Sequence, residues 1–183
     1  MNKNKTMMFF FILSESFFFL ALIISYVFYS HAGGKLSSTA KYLDIKKTLI
    51  FTFFLLFSSL TIHVAGIKSD KGKRKTSLGW LIFTIILGSV FLIGQGTEYA
   101  NLISMNVTIS QNVFGSSFFT LTGFHGLHVL LGLITLSIIS VMIYSNSYKN
   151  IESTILKSAT MYWHFVDAVW VVVFTVVYIG AYV

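Results

Sequence analysis

The sequence predicts an all-α polytopic membrane protein, with five transmembrane helices in a bundle. Three observations carry this. Hydrophobic residues make up 55% of the 183 and charged residues only 10%. An average soluble domain carries ~25% charged residues, so no soluble fold of this size covers its surface from such a composition, and a disordered chain is excluded for the same reason. Five segments are apolar over the ~20 residues that a helix needs to cross a hydrocarbon core. Proline is absent, which favours unbroken helices over the interrupted ones of many transporters. Cysteine is absent as well, which removes disulfides, thiolate zinc sites, iron–sulfur clusters and c-type haem attachment from the options for this chain.

The expected spans are about 7–29, 48–67, 78–99, 117–144 and 159–183. The first is read as a span and not as a cleaved signal peptide, because its apolar run is too long and no small-residue cleavage pattern follows it. The loops between spans are short, so residues 1–183 are expected to form a single transmembrane domain. Lys and Arg are unequally shared. The N-terminal tail, loop 68–77 and loop 145–158 carry nine, and the other two loops carry four. By the positive-inside rule the N-terminus is expected in the cytoplasm. The net charge of +7 is accounted for by these loops and gives no reason to expect nucleic acid as a partner.

Acids, bases and amides within a span are costly and mark functional candidates. Glu15 lies ~12 Å into the first span at 1.5 Å per residue, among Ser14, Ser16 and Phe17 to Phe19. An ionised carboxylate there needs a cation or a donor. One reading is a proton carrier or a lipid or subunit contact; the other is a protonated acid bonded to another helix. Gln95 and Glu98 are three apart and share a helix face; they are expected to cap the outer end of the third span, facing water or headgroups. His125 and His128 are also three apart. Two imidazoles on one face suit a metal, but no third ligand is near in sequence, and a helix contact through hydrogen-bonded imidazoles is expected. His164 and Asp167 lie between Trp163 and Trp170 and are expected to clamp helices, with a proton path as the sharper alternative. His63 is expected to be a packing or interfacial residue. A bis-histidine haem needs two facing histidines; the depths of His63 and of His125 and His128 do not match, and only His164 is placed to meet His63. The 19 Phe are expected to pack or to face lipid. Ala21 and Ser25 form a small-x-x-x-small step, a common helix-contact pattern.

Four blocks run in order along nearly the whole chain: Leu13-Ser14-Glu15-Ser16-Phe17-Phe18-Phe19; Gln95-Gly96-Thr97-Glu98-Tyr99; Gly115-Ser116-Ser117-Phe118-Phe119 leading into Gly123-Phe124-His125-Gly126-Leu127-His128-Val129; and Tyr162-Trp163-His164-Phe165-Val166-Asp167-Ala168-Val169-Trp170. Together they strongly resemble subunit III of the haem–copper terminal oxidases. The resemblance implies a bundle with a lipid-filled cleft, packed with catalytic subunit I and subunit II in a proton-pumping respiratory oxidase that reduces oxygen to water. It implies that haem and copper sit in the partner subunits, that phospholipid occupies the cleft, and that this subunit supports the durability of the catalytic subunit and its proton uptake. Glu15 matches the family's intramembrane glutamate at the lipid cleft and, with His63, is assigned to lipid binding or subunit contact. Glu98, His125, His128, His164 and Asp167 match other intramembrane polar positions and, with Gln95, are assigned structural roles. No catalytic residue and no metal ligand is assigned.

The longer family form has seven helices. This chain corresponds to the five-helix form, beginning at the helix equivalent to the third, and resembles the versions found in bacterial quinol oxidases and some bacterial cytochrome c oxidases. The cleft is then closed by other subunits or left open to lipid. The bacterial inner membrane is the expected location. Cytochrome c is favoured as the donor to the complex, with the same role in a quinol oxidase as the first alternative. A proton-coupled transporter using Glu15 and Asp167, and a small haem cytochrome using His63 and His164, are the alternatives of other classes.

Overall fold

The computed structural model describes residues 3–32, 43–107, 113–145 and 152–180. Five helices follow one another: α1 Lys3–Ala32, α2 Ile45–Asp70, α3 Arg74–Ser104, α4 Val113–Tyr144 and α5 Glu152–Phe174, the last continuing into a π turn at Thr175–Ile179. All five are long and apolar enough to cross a membrane. The first four expected spans lie inside α1 to α4; the fifth begins inside α5, and its last residues fall outside the described ones. Each helix overruns its apolar stretch. Hydropathy registers only the segment in hydrocarbon, whereas the backbone hydrogen-bond ladder continues through the polar flanks.

The helix ends have local causes. The Asp44 carboxylate accepts the backbone N–H of Lys47 at 3.1 Å and caps the start of α2, as a short acidic side chain does at this position. The turn between α2 and α3 passes through Gly72 at φ 70°, a conformation that costs glycine nothing. Beyond α3, Asn106 takes φ 59°, which its short polar side chain tolerates better than most.

Helices α2, α3, α4 and α5 pack in a closed ring, each against the next and α5 back against α2, while α1 lies outside in the groove between α4 and α5. Lipid tails are as apolar as leucine, so close packing and hydrogen bonds, and not the hydrophobic effect, hold such a ring together. Trp163 is fully buried at its centre. It fits because two neighbours lack side chains: a Cβ at Gly88 would stand 2.9 Å from the Trp163 ring, and one at Gly132 2.7 Å. Its indole N–H donates to Ser58 Oγ on α2 at 2.9 Å. Two turns further along α5, the Trp170 N–H donates to Thr52 Oγ1 at 2.9 Å.

Ala21 and Ser25 are exposed on the outer side of α1, which seats Phe19 and Tyr26 in the groove. The last helix is not α throughout. The π turn adds a residue to the last coil of α5, and it brings Val177 and Tyr178 both inward.

The same substitution is expected to act with opposite sign at two glycines. Gly132→Ala drives a Cβ into the Trp163 ring and costs ~1–3 kcal/mol, as overpacking does. Gly79→Ala meets nothing within 4 Å and gains up to ~1 kcal/mol of helix propensity. Thermal unfolding of the purified protein checks this: the first variant melts below the wild type and the second does not.

Candidate functional site

The polar side chains of the spans form four groups, and nearly all of them join two helices. The first ties α1 to the ring. His128 Nε2 lies 3.1 Å from Glu15 Oε2, and His128 Nδ1 lies 2.7 Å from the Phe124 carbonyl. A carbonyl only accepts, so Nδ1 carries a proton. In neutral histidine Nε2 is then a lone pair. The Glu15 contact is a hydrogen bond only if a further proton sits on it, either on the carboxyl or on the imidazole. One proton on Nδ1 and one shared between Nε2 and the carboxyl make the pair neutral overall, which suits a site inside a membrane. Tyr162 of α5 donates to the His128 carbonyl at 3.0 Å, so three helices meet here.

The second and third groups lie toward the opposite end and correct the expected interfacial cap. Gln95 is buried. Its amide donates to the Thr122 carbonyl of α4 at 2.7 Å and reaches the Tyr99 hydroxyl at 3.3 Å; Tyr99 and Thr122 share a 2.7 Å hydrogen bond. Glu98 turns the other way. It accepts from Tyr178 of α5 at 2.7 Å and from Thr48 of α2 at 3.2 Å. The two residues share one face of α3 yet clamp different neighbours. A cavity of about 380 Å³ opens beside Glu98, with Asp44, Lys47, Thr97 and Asn101 in its wall.

The fourth group lies between α2 and α5. Ser59 is hydrogen-bonded to His164 Nδ1, and the His63 and His164 rings stand 6.3 Å apart. His164 thus clamps α5 to α2 through Ser59 and makes no bond to Asp167. Asp167 is buried. Ser59 is within reach of its carboxyl, but neither oxygen has a hydrogen bond of good geometry among the described residues. At the end of the same helix pair, Lys157 and Asp70 form an exposed ion pair at 2.9 Å.

His125 departs from expectation. It is fully buried, and neither ring nitrogen has a hydrogen-bond partner among the described residues. Its ring stacks on Trp170 at 4.8 Å and meets Phe91 edge-on at 6.0 Å. His125 behaves as an aromatic packing element, whereas His128, one coil away, is the bonded partner of Glu15. No three His, Asp or Glu side chains come together among the described residues in a group that would hold a metal.

The partners of these groups were not singled out in the sequence. Thr48, Thr52, Ser58, Ser59, Tyr162 and Tyr178 are ordinary residues in apolar surroundings. A signal existed for α2: Thr48, Thr52, Ser59 and His63 recur at four- and seven-residue spacing, which places them on one stripe. The arrangement ties helices together through hydrogen bonds between side chains and backbone.

The cytochrome c oxidase subunit III family matches residues 2–182 of this chain. The cytochrome c oxidase subunit 3 of Corynebacterium diphtheriae is 34% identical over 170 residues, covering 91% of this chain and 83% of the relative. The cytochrome bo(3) ubiquinol oxidase subunit 3 of Pseudomonas aeruginosa is 33% identical over 171 residues, covering 92% and 81%. The probable quinol oxidase subunit 3 of Staphylococcus saprophyticus is 33% identical over 180 residues, covering 97% and 89%. With a family match from end to end, five spanning helices, and the sequence blocks that suggested the resemblance lying at helix–helix clamps, this chain belongs to the cytochrome c oxidase subunit III family.

Proposed function

We propose that this chain is the non-catalytic third subunit of a bacterial haem–copper oxidase, working in aerobic respiratory electron transport beside a catalytic subunit I and a subunit II. The observation that carries the reading is the family match over residues 2–182. Relatives named for cytochrome c oxidases and for quinol oxidases both align over most of the chain. The donor is therefore set by other subunits, with cytochrome c as the first reading and quinol as the second. The transporter reading has no support among the relatives.

In this role the chain works by packing. Haem and copper belong to the partner subunits, and this chain contributes a wall of helices that limits stray water and keeps the partner's proton uptake path in shape. Phospholipid is the natural filler of the groove between α1 and α5, where a cavity of about 400 Å³ is lined by Met7, Met8, Phe11, Thr154, Ile155 and Ser158. Its apolar wall suits an acyl chain. The charge asymmetry of the loops supports a bacterial plasma-membrane location with the end bearing residues 68–75 toward the cytoplasm.

Two measurements test the proposal. A tagged chain extracted gently from native membranes brings haem with it, seen as reduced-minus-oxidised visible bands. The bands vanish when the chain is stripped from its partners. Preparations of the intact complex without haem would sink the oxidase reading. Second, Glu15→Ala removes the polar tie of α1 and leaves His128 Nε2 unpaired, at a cost of ~0.6–1.7 kcal/mol for a hydrogen bond inside a bilayer. The haem spectrum and the first turnovers stay normal, and the enzyme loses activity faster during sustained turnover. Glu15→Gln, whose amide can donate to the same nitrogen, restores most of that lifetime. Loss of turnover from the first cycle, with assembly normal, would refute a purely supportive role.

A further inference from the structure

The surface of this chain at membrane depth is apolar almost everywhere. On α4 it presents Leu130, Ile134, Ile138 and Val141. The exposed hydroxyls of that helix, Thr135 and Ser137, bond to their own backbone carbonyls and ask nothing of their surroundings. One face differs. Where α2 and α5 lie side by side, His63 and His164 are exposed and adjacent. Ser59 bonds to one nitrogen of His164, and neither the other nitrogen nor the His63 ring meets a hydrogen-bond partner among the described residues.

Depth makes this costly. The Asp70–Lys157 ion pair marks the polar end of the two helices. His63 lies seven residues before Asp70 and His164 seven after Lys157, so both rings sit ~10 Å inward of it. Helix α2 has 26 residues, ~39 Å against ~30 Å of hydrocarbon, which leaves only ~5 Å of overhang at each end. The rings are therefore inside the hydrocarbon. Imidazole is short and stiff and cannot reach the headgroups as a lysine stem can. Behind them lies Asp167, 4% exposed, with both oxygens lacking a well-formed hydrogen bond. The same face carries small residues: Ala168 is exposed, and a Cβ at Gly66 would meet nothing within 4 Å. A neighbouring helix can come close there.

We infer that the α2–α5 face around Ser59, His63, His164 and Ala168 is the docking surface for a spanning helix of a partner oxidase subunit, which supplies hydrogen-bonding side chains to the two imidazoles. Lipid tails offer no such groups, and the wholly apolar α4 face is the one left to lipid. The inference rests on the oxidase reading proposed above and assigns that assembly its contact surface.

The chain lacks cysteine, so single sites can be introduced cleanly. Ala168→Cys and Ile134→Cys are each labelled with a benzophenone maleimide in native membranes and illuminated. The Ala168 site yields a covalent adduct with a second spanning polypeptide of the complex, and the Ile134 site yields lipid adducts. Lipid adducts alone at Ala168, or a polypeptide adduct at Ile134 and none at Ala168, overturn the inference. A polypeptide adduct that is not an oxidase subunit overturns the assigned occupant. In parallel, the double variant His63→Leu with His164→Leu removes both proposed bonds to the partner together with the Ser59–His164 bond, and Ser59→Ala, which removes the last alone and keeps haem recovery near the wild type, is its control. In the double variant, haem recovered per tagged chain after a mild detergent wash falls roughly tenfold, from two bonds of ~0.6 kcal/mol each, while circular dichroism of the chain is unchanged. Unchanged haem recovery in the double variant overturns the inference. If wild-type preparations carry no haem at all, the oxidase reading fails; if they carry haem and Ala168 touches only lipid, the docking surface alone fails.

Discussion

Trp163 and Trp170 are buried at the centre of the ring, and each carries an N–H that hydrocarbon cannot satisfy. Ser58 and Thr52 on α2 provide the two acceptors, each at 2.9 Å. The indoles are seven residues apart on α5 and the hydroxyls six apart on α2. The pair of bonds therefore fixes the direction and the register of the two helices together. Sliding α5 by one turn would break both bonds, at ~1–3 kcal/mol for each group left unsatisfied. Other features follow from this register. Gly88 and Gly132 leave room for the Trp163 ring. Phe91 sits edge-on to Trp170 at 4.8 Å and His125 stacks on it. Ser59, the residue after one acceptor, meets His164, the residue after one donor.

At the far end the same logic holds with a carboxyl in place of a hydroxyl. Glu98 receives Tyr178 and Thr48, so α2, α3 and α5 are pinned at a single point. The π turn at Thr175–Ile179 belongs to this arrangement. It turns Tyr178 inward beside Val177, and the phenol reaches across to α3. Such widened turns are common where a side chain has a task that regular helix geometry does not serve.

The fold was legible because the bilayer imposes a simple rule. Every backbone group must be satisfied internally, so apolar runs of sufficient length become helices, and the number and order of the five spans followed. The identities of the polar residues were legible for a related reason: Glu15, Gln95, Glu98, His125, His128, His164 and Asp167 stand out against apolar neighbours. Their partners were not. Gln95 and Glu98 share a face of α3, and spacing alone does not say that one turns to Thr122 and the other to Tyr178. Which helix lies on which side is a tertiary fact. The small step at Ala21 and Ser25 likewise does not say which face of α1 enters the groove; Phe19 and Tyr26 do, and Ala21 and Ser25 lie exposed. His125 and His128 show the limit most plainly. They are the same residue type on adjacent coils; one has a carboxyl opposite and the other an indole.

The four ring helices each have two neighbours in the ring, whereas α1 packs along one edge only and presents Phe10, Phe17, Ile24 and Phe28 outward. Among the described residues Glu15 to His128 is a polar attachment of α1, a bond that exists only while a proton is shared between them. Phe19 adds ring contacts to His128 at 4.9 Å and to Phe165 at 6.4 Å, which favour the seat without fixing register as a hydrogen bond does. Helix α1 is therefore the element least determined by its own chain. A cavity of about 400 Å³ opens beside it at Met7, Met8 and Phe11. A chain built this way is pinned by hydrogen bonds where α2 and α5 meet, and is held by fewer of them where α1 packs.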